Sequence, residues 1–250
     1  MNEKTLRMLE YNKIIEKLVN NAITFKGKEY ATSLLPSSIL NKVEKKQKET
    51  TEAVSMLLRY GTPPIAPVVD DKEIINKVRI GGVLSIKSLL EMASALKNMR
   101  EVKEYGKEHI SDDNVILSEY FDSLYSNQNV EKEIFRCIKS EEELDDRAST
   151  ELYSIRRHIA DAEGKIKEKL NDIVHSSDLS KYLQDQVVTF RNDRYVIPVK
   201  QEYKNEIKGF IHDSSASGST IFIEPTSVFN INNEIKELKI KEQLEIERIL

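Results

Sequence analysis

Apolar positions along the chain follow two different periods. Through roughly residue 175 they recur at helical spacing; from residue 186 they alternate. Tyr11, Ile14, Leu18 and Ala22 form one helical stripe, and Pro36 after Leu35 ends the next segment. Ser37 or Ser38 can cap a helix running to Tyr60, with Gly61 as its stop. Thr62-Pro63-Pro64-Ile65-Ala66-Pro67 predicts a stiff connection, because proline lacks the N–H that helices and central strands need. Asp70 or Asp71 then caps a short helix that Gly81-Gly82 breaks. Ser85 opens another through about Tyr105. Asp112–Asn114 and Asn127–Asn129 mark further boundaries before a helix over Val130–Ile138.

From about Glu141 to Ser177 the pattern narrows. Ala148, Leu152, Ile155, Ile159, Ala162, Ile166, Leu170 and Ile173 advance by steps of four and three, flanked by charges such as Arg156, Arg157, Lys165, Lys167 and Glu168. So thin a stripe packs on one partner helix. At ~1.5 Å per residue, some thirty residues predict a rod of ~45 Å. Gln186–Phe190 and Tyr195–Val199 then read as strands around the turn Arg191-Asn192-Asp193-Arg194. Lys208–His212 and Ser219–Ile223 form a second pair around a serine-rich loop, and Pro225 closes it. Asn232 or Asn233 starts a returning helix with Ile235, Leu238, Ile246 and Ile249 on it. No stop signal follows Leu238, so the natural protein is expected to continue past Leu250.

These segments predict a mainly α protein with a small β insert. A helical core spans residues 1–140, an ascending lever helix 141–180, a β-rich clamp 181–228 and a returning lever helix 229–250. Composition agrees: 32% charged residues, 39% hydrophobic ones, 8 Gly, 6 Pro and no Trp favour long amphipathic helices. A formal net charge of −4 argues against a globally basic nucleic-acid binder, although 38 Lys and Arg leave room for a local basic surface. Cys137 is the only cysteine, which excludes a disulfide framework and a thiolate metal set. With no apolar signal at the N-terminus and no membrane-length apolar run, a soluble cytoplasmic protein is expected.

The wording of the β region is specific. Leu183-Gln184-Asp185, Val188 through Lys200, the run DSSASGSTIFIEP from Asp213 to Pro225, and Asn232-Asn233-Glu234 with Glu245–Leu250 resemble the N-terminal part of the MutS-two family. Leu9-Glu10-Tyr11 and the Asp145–Leu152 stretch fit as well. The resemblance implies a helical core and a lever carrying a clamp that closes on nucleic acid. It further implies, beyond this chain, an ATPase using ATP and Mg that drives homodimerisation, and in many members an Smr nuclease domain. DNA, duplex or branched, is the implied partner, with suppression of recombination. For some members the partner is the stalled ribosome and its rRNA. No G-x-x-x-x-G-K-[ST] occurs in the sequence, so no cofactor, metal or catalytic residue is expected within it.

Arg191, Arg194, Lys200, Lys204 and Lys208 are the candidate nucleic-acid-binding residues, because phosphate contacts supply most sequence-independent affinity. Asp185, Asp193, Glu202, Glu206, Asp213 and Glu224 nearly cancel them, so a solvated surface is the competing reading. Ser214, Ser215, Ser217, Gly218, Ser219 and Thr220 could meet a phosphate or simply form a hairpin loop. His212-Asp213-Ser214 is not a relay, since neighbours on a strand point to opposite faces. His109, His158 and His175 have no ligand spacing. The alternative function class is a helical adaptor whose rods bind another protein.

Overall fold

A computed structural model of the chain describes residues 3–68, 72–111 and 115–250. The chain is mainly α with two small antiparallel sheets, as the two periods predict. It divides into two compact units, Met1–Asp145 and Asp146–Leu250.

The first unit holds α1 (Glu3–Met8), α2 (Tyr11–Asn21), α3 (Phe25–Ser33), α4 (Leu40–Tyr60), α5 (Lys72–Arg79), α6 (Ile86–His109), α7 (Val115–Ser123) and α8 (Gln128–Cys137). Caps set several of these boundaries. Ser85 Oγ accepts from Ser88 N at 3.1 Å, Thr24 Oγ1 from Gly27 N at 3.0 Å and Asn127 Oδ1 from Val130 N at 3.2 Å. Gly61 ends α4 at φ 82°, where a side chain would be strained. The expected cap of α4 is absent: Ile39 occupies that position, and Ser37 Oγ accepts from Ile39 N instead. Asn98 of α6 pins the proline connection, donating to Pro64 O at 2.5 Å and accepting from Ala66 N at 3.1 Å. The caps expected at Asp70 or Asp71 and the boundary at Asp112–Asn114 lie outside the described residues.

The structure corrects the start of the long rod. Residues after α8 form a small hairpin, β1 (Ile138–Ser140) against β2 (Glu143–Leu144), with Ile138 and Leu144 paired and buried. Ser149 then adopts an extended conformation and caps Leu152 N at 2.9 Å. Helix α9 is therefore Thr150–Val174, 25 residues and about 37 Å long. Charged residues between 141 and 146 look helical by composition, yet they form the hairpin tip and a 3₁₀ turn.

In the second unit, β3 (Thr189–Arg191), β4 (Arg194–Lys200), β5 (Gly209–Ser214) and β6 (Thr220–Pro225) form one sheet in the order β3-β4-β6-β5, antiparallel throughout. Helix α10 (Phe229–Ile249) follows and packs along α9. The first hairpin is tighter than expected. Only Asn192 and Asp193 lie in its loop, at φ 48° and 61°, left-handed positions that Asn and Asp tolerate and two-residue hairpin loops require.

The unit's core joins Ala162, Ile166, Leu170 and Val174 of α9 to Ile197 and Val199 of β4, Ile221 and Ile223 of β6 and Ile235 of α10. Full burial of each aliphatic side chain stabilises by roughly 1.5–3 kcal/mol. Odd-numbered strand residues supply this face, as period two dictates. Ile159 and Ile173 are only half-buried, and Val174 takes the last core position of α9. Asn232 does not start α10. It sits one turn inside and is 1% exposed.

Candidate nucleic-acid interface

Five basic residues were expected at this site, and the structure places them in three different settings. Arg194 opens β4, directly across the hairpin from Arg191. Its Nη1 donates to Glu224 Oε1 at 2.7 Å and its Nη2 to Asn233 Oδ1 at 2.6 Å, with the guanidinium 5.5 Å over the Phe229 ring. Glu224 is fully buried on β6. It also receives Asn232 Nδ2 at 2.8 Å and His212 Nε2 at 2.5 Å. A buried carboxylate needs this many donors to offset its lost hydration. Asn232 in addition bridges the β4 backbone, accepting from Tyr195 N at 3.0 Å and donating to Tyr195 O at 3.1 Å. Arg194 thus belongs to the joint between sheet and helix.

Arg191 is more open. Its guanidinium lies 4.8 Å from the Phe222 ring centroid, and Nε stands 3.7 Å from Asp213 Oδ2. Asn192, next in the loop, donates to His212 O at 2.7 Å. The loop therefore rests on β5 and is no free tip, because the sheet curls enough to bring its first hairpin onto its last strand. His212 and Asp213 are split between two partners, Glu224 and Arg191, around an irregular register on β5.

Lys200, Lys204 and Lys208 lie on or beside the connection from β4 to β5. Lys200 Nζ donates to Lys181 O at 3.1 Å and lies 6.0 Å from the Tyr203 ring centroid. Lys204 and Lys208 are exposed. Next to Lys200 is an open hollow of about 480 Å³, lined also by Gln184, Gln201, Glu202, Ser217, Gly218 and Ser219. The serine loop is internally bonded: Ser217 and Ser219 hydroxyls are 2.8 Å apart, and Ser215 Oγ accepts from Thr220 N at 3.1 Å. Gly218, at φ 72°, makes its reversal.

Burial pushes the Cys137 thiol up from its ordinary value, which disfavours the reactive thiolate. Among the described residues no three His, Cys, Asp or Glu side chains are placed to hold a metal, and no helix is long and apolar enough to cross a membrane. Sequence reasoning missed Glu224 and Asn232 as organisers of the site. The available signal was a polar residue inside each of two otherwise apolar patterns.

The second unit sets a four-stranded β module between two long packed helices, the small β insert in a mainly α chain that the sequence predicts. By sequence the chain belongs, as a segment, to the MutS2 family. It is 52% identical over its whole length to the Endonuclease MutS2 of Acetivibrio thermocellus, 45% to that of Ruminiclostridium cellulolyticum and 44% to that of Clostridium perfringens. It spans 32% of the length of each of these relatives. No family model matches the chain.

Proposed function

We propose that this chain is a nucleic-acid-contacting portion of a MutS-like DNA-processing protein, gripping phosphates through Lys200, Lys204, Lys208 and Arg191. The observation that carries this reading is the division of labour among the cations. Arg194 is spent on a buried carboxylate, whereas Lys200 borders a polar hollow and Lys204 and Lys208 stay exposed along the connection from β4 to β5. Contacts of that kind read backbone charge and not base identity. Arg194 acts indirectly, holding β4 and β6 against α10. In the whole protein the substrate is branched DNA and the outcome is suppression of recombination, with the stalled ribosome and its rRNA as a second target. ATP and Mg are used by an ATPase portion outside this chain, in a cytoplasmic homodimer. The name endonuclease carried by the relatives supports a nucleic-acid substrate.

A second reading is a helical adaptor. It is favoured by Ile240 and Leu244, which are 55% and 61% exposed one turn apart on α10. Binding of the chain to branched DNA, plain duplex and structured RNA across a salt series separates the two. The phosphate reading predicts weak, sequence-indifferent binding whose affinity falls with salt by a slope of roughly −0.9 per neutralised phosphate on duplex. No binding to any of the three at low salt leaves the adaptor.

A further inference from the structure

Phe190 and Tyr195 stand directly opposite each other in the β3–β4 pair, so their side chains share one face. Their rings meet edge to face, 5.1 Å apart at 66°. Two cations from two other elements reach the same rings. Lys239 Nζ of α10 lies 5.3 Å from the Phe190 centroid, and Lys167 Nζ of α9 lies 5.7 Å from that of Tyr195. Both lysines are exposed. Tyr195 has a structural role at the rim of the core. Its phenol is pushed up by burial first and by Glu163 second, whose carboxylate accepts its hydroxyl. Phe190 has no comparable role. It lies outside the core cluster and is 41% exposed. A large ring held half in water, under one cation and against a second ring that carries its own, is a costly residue to place in the middle of a three-residue strand.

The geometry points to a stacking site for an unpaired nucleotide, with the base on Phe190 and its flanking phosphates on Lys167 and Lys239. Duplex bases are already stacked and offer this site only phosphate. An unpaired base has a free π-face, and stacking on protein aromatics tolerates any base. The site would therefore distinguish flaps, gaps and loops from uniform duplex, which the lysines of the β4–β5 connection do not. It rests on the nucleic-acid reading above and adds a preference to it. All three elements that build it converge at the packed helix pair, so a bound nucleotide would touch β3, α9 and α10 together.

The chain contains no tryptophan, so a Phe190→Trp variant carries a single fluorescent reporter at the site. Three probes are needed: a blunt duplex, the same duplex with a single-stranded flap, and a single strand of thymidines. Expected is quenching of the Phe190→Trp signal by the flap and the single strand but not by the blunt duplex. Phe190→Ala should weaken the single strand and flap about tenfold and leave the duplex within about twofold. Lys167→Ala with Lys239→Ala should lower the single-strand salt slope by about one. Circular dichroism checks that each variant is folded, and the fluorescence readout does not depend on the alanine variants. Equal loss on duplex and single strand, or no selective quenching, overturns the stacking site while the phosphate grip stands. Failure of the unaltered chain to bind any probe overturns both.

Discussion

Buried carboxylates at the ends of long-range bonds are the residue-scale theme of this protein. Glu52 of α4 accepts from Ile116 N and Leu117 N at the start of α7, and Glu131 of α8 takes Arg100 of α6 through two bonds of 2.9 and 2.8 Å. The Arg100 guanidinium holds the Glu131 carboxyl below the usual range. Glu224 is the most demanding case. Replacing it with alanine would strand Arg194 and Asn232 without their acceptor, so Glu224→Ala should cost about 3–5 kcal/mol, the range for breaking one side of a buried pair. Chemical denaturation measures this, and a loss below ~1 kcal/mol would mean the network contributes nothing net. Glu245 gives a pH test. Arg248 first, and Ser149 second, lower its pKa from 4.5 to about 2. A carboxylate depressed on folding adds stability that is fully present above its unfolded pKa and is lost as pH falls toward the folded one. The melting-temperature gap between the unaltered chain and Glu245→Gln should therefore close between pH 5 and pH 2; a gap that stays constant contradicts the assignment. Of these partnerships only Glu245 with Arg248, three apart on one helix, was within reach of the sequence. Arg194 meets acceptors 30 and 39 positions away, and spacing rules reach only about one helical turn.

At the scale of elements, most of the pattern was legible because burial imposes a period. The alternation over Tyr195–Val199 and Ile221–Ile223 marks the core face of β4 and β6, and the spacing from Leu152 to Leu170 marks that of α9. Reading failed where local hydrogen bonds beat composition. The stretch after Ile138 forms a hairpin because Leu144 pairs with Ile138 and is buried, and α10 starts before Asn232 because that amide is needed at Tyr195. The stripe also has a graded edge that spacing does not reveal. Ile166 is 0% exposed at the centre of the core, whereas Ile159 faces a shallower part of the helix pair and is half-buried. Ile166→Ala should cost about 2–5 kcal/mol and Ile159→Ala no more than about half as much. Equal losses in urea denaturation would show that α9 buries a broader face against α10.

At the scale of the whole molecule, the two units differ in how much apolar surface each buries. Ile166, Leu170, Val174, Ile197, Val199, Ile221, Ile223 and Ile235 make a continuous interior in residues 146–250, and Leu152 and Ile155 are buried further along α9. In residues 1–145 the buried apolar set is sparse, and large side chains such as Leu35, Leu40, Leu58, Ile80 and Tyr125 remain well exposed. Native-state hydrogen exchange should therefore find the most protected amides in α9, β4 and β6, with α2 to α5 opening at lower free energy. The reverse order would contradict the packing described. Cation placement connects this framework to function: the second unit's core holds the β4–β5 connection steady while its lysines stay in water. The central claim is tested most directly by replacing Lys200, Lys204 and Lys208 together with glutamate and measuring duplex affinity from 50 to 200 mM salt. Weaker binding, a salt slope flatter by about two to three, and unchanged helicity are expected. Binding as tight and as salt-dependent as that of the unaltered chain would contradict that claim.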